Sequence, residues 1–308
     1  MKKDLITIKD LTPDEIFDIF ALAKKLKAKK IISDCLLEGK SLGLIFQKPS
    51  NRTRVSFEVG MTQLGGHAIY LGPEDIKLGK REAIKDVART LSRYLDGLVA
   101  RTYLHQDVLE LAKYATIPVI NGLSDVAHPC QALSDVFTIE EKIGKLKGAN
   151  LVFIGDGNNV LNSLLYCCAK VGVNIAIATP KGYEPETEMF GGAMSAAKKS
   201  GSKITLTNDP REILKDADIV YTDVWVSMGQ ESEHDKRLKA FTGFQVNDKL
   251  LSNVKKSEYF VMHCLPAHRD EEITDSVLDG KQSIVFDQAE NRLHVQKAIL
   301  LTLLKQAR

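Results

Sequence analysis

The stretch SLGLIFQKPSNRTRVSF, residues 41–57, is the most informative about the fold, because it passes from a strand pattern to a helix pattern through a strongly polar loop. Its first six residues are mostly apolar, as in a buried strand. Two arginines, two hydroxyls and an amide follow within residues 50–54. Phe57, Met61 and Leu64 then recur at helical spacing. The stretch therefore predicts a strand, a donor-rich loop and a helix.

The same alternation continues along the chain. We predict four strands in the first half and six in the second, at residues 41–46, 67–71, 96–102, 117–122, 150–155, 173–179, 203–207, 218–224, 259–264 and 283–287. Helical patterns lie between them, among them residues 86–95, 106–115 and 160–170. Strands that alternate with helices form βαβ units and parallel sheets. The predicted fold is α/β, with helices flanking central parallel sheets.

A chain of 308 residues is long for a single hydrophobic core, so we expect two domains. Residues 129–143 read as one continuous helix that joins them, and a last helix over about residues 290–304 is long enough to cross back. The predicted domains are residues 1–135 and residues 148–289, with a C-terminal helix of residues 290–308 packing onto the first domain.

Composition excludes several classes of function. The net charge of +2 gives no general attraction to nucleic acid or membranes. No apolar run approaches the roughly 18 residues of a membrane span, and the first residues lack the apolar core of a signal peptide. The five cysteines are odd in number and form no CxxC, so neither a disulfide framework nor a zinc site is expected. A cytoplasmic location fits best.

The polar loop at residues 50–54 suits an anion. A helix N-terminus offers unpaired N–H groups and the positive end of the helix dipole. Arginines that grip two oxygens at a time turn such an end into a phosphate or carboxylate site. A surface helix with solvated arginines is the alternative, but two arginines flanked by hydroxyls directly after a buried strand favour the anion site. The loop is not a Walker motif, because GxxxxGK[ST] is absent.

A second cluster is VAHPCQALSD, residues 126–135. His128 and Gln131 are three residues apart and share a helix face, with Pro129 at the favoured first position. Together they can hydrogen-bond a carbonyl oxygen and an amide nitrogen; alternatively, His128 only caps the helix. Arg101 ends a predicted strand and would project from the carboxyl edge of the sheet, where α/β proteins usually bind ligands.

A third cluster, VFIGDGNNVLNSL at residues 152–164, invites a dinucleotide interpretation. Val160 fills the third glycine place of GxGxxG, and the next strand ends without the acidic residue that would hold a ribose. Both features argue against a nicotinamide cofactor. Asn158 and Asn159 at the start of a helix suit the carboxylate of an amino acid instead.

Two further strand ends carry polar residues. Asp223 ends one strand, in YTDVWVSMGQE, and a small loop follows at residues 227–229. His263 and Cys264 end another, in MHCLPAHR, where Leu265–Pro266 must turn. A buried cysteine is usually a small apolar residue, but one at a carboxyl edge beside polar groups favours a functional role. His263 beside Cys264 suggests a metal, yet the other ligands are missing and none is expected.

The motifs SNRTR, HPCQ, GDGNN, DVWVSMG, HCLPAHR and AENR occur in this order and at fitting distances. Together they resemble the carbamoyltransferases, specifically the ornithine branch of that family, over about residues 5–304. SMG with HCLP is the most specific pair. The resemblance implies transfer of the carbamoyl group of carbamoyl phosphate to the δ-amine of L-ornithine, giving L-citrulline and phosphate in arginine metabolism.

The resemblance also implies roles for individual residues. Carbamoyl phosphate would be bound by Ser50, Asn51, Arg52, Thr53, Arg54, Lys77, Arg101, His128, Pro129, Cys130, Gln131, Cys264, Leu265 and Arg292. Ornithine would be bound by Asn159, Asp223, Ser227 and Met228. The catalytic residues would be Arg101, His128, Asp223 and Cys264.

In these roles Arg101 and His128, with Thr53, would stabilise the developing oxyanion. Asp223 would orient the amino groups of ornithine, and Cys264 would accept or relay a proton; alternatively, Cys264 only shapes the pocket. No metal or organic cofactor is implied, and no nucleic acid or membrane partner. The family builds trimers and multiples of them, so a homotrimer is expected.

Two positions depart from the family pattern. Asn51 stands where Thr is usual, and since the backbone N–H matters most there, little loss is expected. Lys77 stands where Gln is usual, in a loop that reaches a neighbouring subunit's site in the family; Arg81 makes this loop unusually basic. Two alternatives remain: a carbamoyltransferase for putrescine, aspartate or an acylated ornithine, and a non-catalytic module that binds an anion or assembles with a partner.

Overall fold

The structure is a computed structural model that describes residues 3–28, 35–227, 229 and 231–305. The chain divides into two compact units. Unit 1 comprises Met1–Ser134 and Glu290–Arg308, and unit 2 comprises Asp135–Ala289. Among the described residues, none of the helices has the combination of length and apolar character that crossing a membrane requires.

Unit 1 is built on a four-stranded parallel sheet with strand order β2-β1-β3-β4. Its elements are α1 (Pro13–Lys27), β1 (Ser41–Phe46), α2 (Asn51–Gln63), β2 (His67–Leu71), α3 (Pro73–Ile76), α4 (Ile84–Leu91), β3 (Gly97–Arg101), α5 (His105–Tyr114) and β4 (Val119–Leu123). The four strands predicted in the first half are confirmed. The chain runs outward from β1 to β2 on one side and from β3 to β4 on the other. The strand order therefore reverses between β1 and β3.

Unit 2 is built on a five-stranded parallel sheet with strand order β7-β6-β5-β8-β9. The chain reaches unit 2 through helix α6 (Pro129–Ile143) and leaves it through helix α12 (Val285–Leu304). Between these helices, the elements of unit 2 are β5 (Asn150–Ile154), α7 (Asn159–Val171), β6 (Asn174–Ala178), α8 (Thr187–Ser200), β7 (Ile204–Thr207), β8 (Ile219–Thr222), α9 (His234–Ala240), α10 (Asp248–Leu251), β9 (Phe260–His263) and α11 (Asp275–Leu278). Here the order reverses between β5 and β8. In open α/β sheets, ligands bind outside the carboxyl ends of the strands at such a switch point.

Two helices run without interruption from one unit into the other. The boundary between Ser134 and Asp135 lies inside α6, and the boundary between Ala289 and Glu290 lies inside α12. Within unit 1 the second part of α12 packs on α2: the Lys297 ammonium donates to Gln63 at 2.7 Å. The fold is thus a two-domain α/β fold in which two continuous helices join the domains.

The predicted strand at residues 283–287 is wrong. Ser283 forms only an isolated bridge with Val261, and α12 begins at Val285. The Ile284 N–H still donates to the Val261 carbonyl, but the Ile284 carbonyl already accepts from Gln288 in the first helical turn. A short apolar run fits a buried strand and a buried helix start equally well. Here the helical bonds of the following residues decide the outcome.

Candidate active site

The polar loop of unit 1 follows β1 and opens α2, so it lies at the point where the strand order reverses. Ser50 is the N-cap of α2, and its hydroxyl accepts from the Thr53 N–H at 3.3 Å. The Ser50 hydroxyl in turn donates to the buried Thr53 hydroxyl at 3.2 Å. Asn51 accepts from the Arg52 N–H at 2.7 Å. The loop is therefore folded by its own hydroxyls and amide at the positive end of a 13-residue helix.

Arg54 is held across this helix start by two neighbours. Its Nε donates to Glu58 at 2.9 Å, one helical turn further on. Its guanidinium also lies over the ring of Tyr70, 3.7 Å from the centroid. Stacking on an aromatic face fixes the plane of a guanidinium while its outer N–H groups keep their donor capacity. Arg54 thus keeps a defined orientation near the carboxyl end of β1.

Arg292 brings three motifs of unit 1 together. One terminal nitrogen donates to the Gln131 side chain at 3.0 Å, and the other donates to the Thr53 hydroxyl at 2.9 Å. All three side chains are buried. The motifs SNRTR, HPCQ and AENR are therefore in direct contact, although they lie far apart in the sequence. The residues of these motifs that are expected to bind carbamoyl phosphate thus lie together, and their binding of that ligand stays a prediction.

His128 lies buried among positive charges. Burial lowers the pKa of His128 well below its ordinary value, and the charges of Arg292, Arg101 and Arg52 lower it further. The imidazole is therefore neutral at physiological pH. A neutral ring can donate one hydrogen bond to a carbonyl oxygen, while the surrounding guanidinium groups supply positive charge for an anion.

The residues next to His128 support the helix. Pro129 is the first residue of α6. Burial raises the pKa of the Cys130 thiol to about 12, and the thiol donates to the Asn121 carbonyl at 3.6 Å. Cys130 therefore stays a thiol, and its side chain packs inside the unit. Any contact of Pro129 and Cys130 with a ligand would come from the backbone.

Lys77 lies apart from these contacts. It caps the C-terminus of α3 with a left-handed backbone (φ 41°), and its exposed ammonium lies 3.1 Å from Glu74. Lys77 therefore has an acidic partner within its own unit. Such an exposed pair contributes little stability, so Lys77 can change partner at little cost.

In unit 2, three side chains meet at the switch point of the sheet. Asp223 follows β8, and its carboxylate accepts from the Asn158 amide at 2.7 Å and from the Cys264 thiol at 2.9 Å. Asn158 is also the N-cap of α7, accepting from the N–H groups of Val160 and Leu161. The amide of Asn158 is therefore already used by the protein. Asn159, the first residue of α7, is the asparagine expected to bind the substrate carboxylate.

The Cys264 thiol is held in its protonated form. Burial raises the pKa of Cys264 well above its ordinary value, and the charge and hydrogen bond of Asp223 raise it further. A free thiolate base is thus disfavoured. A thiol that already donates to a carboxylate can still pass a proton on, receiving one at sulfur while giving its own to Asp223.

Close packing explains the glycine-rich motif of unit 2. A Cβ on Gly157 would lie 2.5–2.6 Å from backbone atoms of Glu184 and Pro185. The Gly157 N–H donates to the Tyr183 carbonyl at 2.8 Å. Glycine is required here because the backbone at Glu184 and Pro185 passes close by. This packing accounts for Gly157 without a bound dinucleotide.

His263 supports the turn after β9. Its Nδ1 accepts from the Leu265 N–H at 2.9 Å, and its Nε2 lies 3.0 Å from Glu272. These contacts assign the ring proton to Nε2, which donates to Glu272. Leu265 has a left-handed backbone (φ 56°), and the peptide bond before Pro266 is cis. The predicted turn at Leu265–Pro266 is confirmed, and His263 serves to hold it.

Arg237 is a buried residue that sequence reasoning missed. It donates to Asp156 and to the Trp225 carbonyl, both at 2.9 Å, and to Glu233 at 3.0 Å. These bonds fasten both ends of the loop that contains SMG. Burial raises the pKa of Asp156 to about 6, against the opposing effect of Arg237. An arginine inside a polar helix gives no local sequence signal of burial.

The SMG loop itself is described in part. Ser227 is half-buried and Gly229 is exposed. Met228, expected to contact ornithine, lies outside the described residues. The loop comes shortly after Asp223 in the chain, so it begins at the same carboxyl edge of the sheet as the Asp223 side chain.

Comparisons with known proteins cover nearly the whole chain. The family described as "Aspartate/ornithine carbamoyltransferase, carbamoyl-P binding domain" matches residues 3–141. The companion family "Aspartate/ornithine carbamoyltransferase, Asp/Orn binding domain" matches residues 147–303.

Individual relatives match over the same length. The protein named ornithine carbamoyltransferase of Pyrococcus horikoshii is 54% identical over 304 residues, covering 98% of this chain and 96% of that protein. The protein of the same name from Methanosarcina acetivorans is 53% identical, covering 99% and 100%. The solved structure of ornithine carbamoyltransferase from Pyrococcus furiosus superimposes with a TM-score of 0.95 at 53% identity, covering 99% and 98%.

The two parallel sheets, each with polar side chains at its switch point, define a two-domain α/β protein of the kind that binds ligands at the carboxyl ends of its strands. Both family matches and the full-length relatives agree with that class. The chain belongs to the aspartate/ornithine carbamoyltransferase family.

Proposed function

We propose that this protein transfers the carbamoyl group of carbamoyl phosphate to the δ-amine of L-ornithine, giving L-citrulline and phosphate. In this step the amine nitrogen bonds to the carbamoyl carbon, the carbon–oxygen bond to phosphate breaks, and the amine loses a proton. The observation that carries the proposal is the full-length similarity, at 52–54% identity, to relatives named ornithine carbamoyltransferase.

We propose that unit 1 binds carbamoyl phosphate. The loop of residues 50–54, with Arg54 and the N–H groups at the start of α2, would hold the phosphate. Arg101 and neutral His128 would donate to the carbonyl oxygen, where negative charge develops as the amine attacks. The cluster of guanidinium groups that lowers the pKa of His128 supports this assignment. Arg292 already contacts Gln131 and Thr53 and would close on the same ligand.

Arg54→Ala tests the phosphate site. Loss of one charged hydrogen bond typically costs about 1.5–3 kcal/mol, so carbamoyl phosphate should bind roughly ten- to a hundredfold more weakly in calorimetry. Arg89→Ala is a matched control, because Arg89 also pairs with an acid, Asp86, and lies over a tyrosine ring, that of Tyr114. Equal affinities of the two variants would contradict the assignment of Arg54.

We propose that unit 2 binds ornithine through Asn159, Asp223, Ser227 and Met228. An amine like the lysine side chain has a pKa of about 10.4, so about one molecule in 2,500 is neutral at pH 7. The buried Asp223 would attract and orient the amine. Because its thiol donates to Asp223 at 2.9 Å, Cys264 would relay the proton as the new bond forms. As the family resemblance implies, the backbone carbonyls of Cys264 and Leu265 would accept hydrogen bonds from the carbamoyl nitrogen.

Asp223 also supports ornithine over the alternative amines. Its buried carboxylate suits a cationic or neutral amine at the end of the substrate and would repel the side-chain carboxylate of aspartate. Putrescine has no α-carboxylate for Asn159 to hold. The test is a product assay with carbamoyl phosphate and a panel of ornithine, aspartate, putrescine and an acylated ornithine. If another amine is turned over faster than ornithine, that amine is the substrate. If no amine is turned over, the protein is instead the non-catalytic module that binds an anion.

The five free thiols favour a reducing compartment, so we place the enzyme in the cytoplasm.

We further propose that the protein forms a homotrimer or a multiple of it, and light scattering measures the mass of the oligomer. If Lys77 serves a neighbouring subunit, mixing inactive Lys77→Ala chains with inactive Arg101→Ala chains should restore activity in hybrid oligomers. Hybrids that assemble normally but stay inactive would leave Lys77 with only its Glu74 contact.

A further inference from the structure

We propose that Asp135 is a positioning residue that, through Tyr221, holds the proton on the Cys264 thiol and so sets the upper pH limit of carbamoyl transfer. Asp135 lies in α6, one helical turn after Gln131, and is fully buried. The proposed reaction gives Asp135 no contact with either substrate. The part of this inference that concerns activity rests on that proposed reaction, whereas the part that concerns the thiol does not.

Three buried side chains from three elements of unit 2 form a closed triangle of hydrogen bonds. The Tyr221 hydroxyl, on β8, donates to one carboxylate oxygen of Asp135 at 2.9 Å. The Gln288 amide, in the first turn of α12, donates to the other oxygen at 2.8 Å and to the Tyr221 hydroxyl at 3.2 Å. Buried bonds of this kind are not exchanged with water and polarise one another. The single proton of the Tyr221 hydroxyl therefore points at Asp135.

The same triangle fixes the end of β9. The oxygen of the Gln288 amide accepts from the His263 N–H at 3.0 Å. Cys264 follows His263 directly, and its thiol donates to Asp223 at 2.9 Å. The triangle thus acts on Cys264 from two sides, through the backbone of β9 and through the hydroxyl on β8.

The groups around the Cys264 sulfur act on its proton in opposite directions. In the part of the chain that the structure describes, the titratable ones are Asp223 and Tyr221, from β8 and its end, and Asp135 from α6. Burial raises the pKa of the thiol, the charges of Asp223 and Asp135 raise it further, and a hydrogen bond from the Tyr221 hydroxyl lowers it. Because Tyr221 has one proton and gives it to Asp135, that lowering effect is held back. Asp135 therefore favours the thiol twice, by its charge and by keeping the Tyr221 proton away from sulfur.

The proposed reaction needs this thiol at high pH. An amine like that of ornithine becomes neutral as the pH approaches about 10.4, so the nucleophile grows more abundant with pH. The relay requires a proton on sulfur, because the Cys264 thiol gives its proton to Asp223 while it receives one from the amine. A site that lost this proton early would fail in the pH range where neutral ornithine is most abundant. By holding the thiol form, Asp135 extends activity to higher pH.

The test is alkylation of the substrate-free protein by iodoacetamide between pH 8 and pH 9.5, with each cysteine followed by peptide mass spectrometry. Only the thiolate reacts, so the rate reports the thiolate fraction. Asp135→Asn removes the charge, and its amide can donate to the Tyr221 oxygen, which frees the hydroxyl proton for sulfur. Cys264 should then react at least about tenfold faster than in the wild type. Tyr221→Phe removes the donor that stabilises a thiolate, so Cys264 should react several-fold more slowly.

The opposite signs separate this arrangement from a general loosening of the fold. Loosening would let water reach the sulfur and would speed alkylation in both variants. Exposed Cys35 is an internal control and should react at the same rate in every variant. Tyr166→Phe is the matched control, because Tyr166 is a second buried tyrosine of unit 2, packed in α7 against Gly192. It should leave the Cys264 rate unchanged.

Two results would overturn the proposal: a Cys264 rate that is unchanged or slower in Asp135→Asn, and one that is unchanged or faster in Tyr221→Phe. If Asp135→Asn does not fold, Tyr221→Phe decides alone.

Activity gives a separate readout. The alkaline loss of kcat should begin at lower pH in Asp135→Asn, with the ornithine KM at neutral pH unchanged. An unmoved kcat profile in a variant whose alkylation has shifted would refute the role of Asp135 in activity. Absence of turnover with any amine would instead contradict the proposed reaction, and the alkylation rates would still decide whether Asp135 holds the Cys264 proton.

Discussion

Replacing Asn158 by aspartate tests the switch point of unit 2 with almost no change of shape. Asp is as good an N-cap as Asn, so the bonds to α7 should survive. The amide that donates to Asp223 at 2.7 Å becomes a carboxylate oxygen. Asn158→Asp therefore changes one interaction, from a hydrogen bond to a contact between two acids.

The magnitudes decide how the pair responds. Two unit charges 2.7 Å apart repel by about 6 kcal/mol at an effective dielectric constant of about 20. Keeping one proton on an acid of ordinary pKa, about 3.9, costs about 4 kcal/mol at pH 7. Proton uptake is the smaller cost, so in the folded variant the introduced carboxyl group and Asp223 should share one proton. The variant should lose up to about 4 kcal/mol of stability at pH 7.

The sign of the pH dependence follows from this proton. The folded variant keeps a proton that the unfolded chain releases above about pH 3.9. Its stability relative to wild type should therefore rise by about 1.4 kcal/mol for each unit that the pH falls towards 5. Asn158→Ala loses the cap and the donor but gains no acid, so its loss of stability should stay constant with pH.

Urea unfolding at pH 5, 6, 7 and 8 measures both variants. Trp225 is the single tryptophan and is buried in unit 2, so its fluorescence reports the unit that contains Asn158. The ornithine KM should rise in both variants, because Asp223 loses its amide partner. A stability difference between Asn158→Asp and wild type that does not change with pH would refute the reasoning.

Three further substitutions test other contacts. Arg292→Lys keeps the charge but loses the fork that reaches Gln131 and Thr53, so carbamoyl phosphate should bind roughly ten- to a hundredfold more weakly in calorimetry. The pKa of Asp156 is raised to about 6, so the folded protein holds a proton that the unfolded chain releases above about pH 4. The free energy of unfolding of the wild type, relative to Asp156→Asn, should therefore fall by about 3 kcal/mol as the pH rises from about 4 to above 6. Urea titrations measure this difference. Gly157→Ala places a Cβ 2.5 Å from backbone atoms and should cost about 1–3 kcal/mol in thermal unfolding. Unchanged affinity, a flat pH difference or an unchanged melting temperature would contradict the respective contact.

Local sequence was sufficient to specify the individual elements. The apolar run at residues 41–46 and the polar loop after it predicted a strand and the start of a helix, because each signal acts within a few residues. Pro129 marked the start of α6 for the same reason. The alternation of these elements was enough to predict parallel sheets, since consecutive parallel strands need a crossover between them.

Which of these residues meet depends on the folded chain. Thr53 and Arg292 are 239 residues apart, and Gln131 and Arg292 are 161 apart, yet each pair shares a hydrogen bond. Family resemblance implied that these residues bind the same ligand, but no local pattern specifies the contacts between them. It depends on the order of strands in the sheet and on where a continuous helix packs. The burial of Arg237 and the charge-free state of His128 likewise follow from surroundings contributed by distant parts of the chain. Local propensity selects the elements, whereas burial and charge at the sheet edges are properties of the assembled unit.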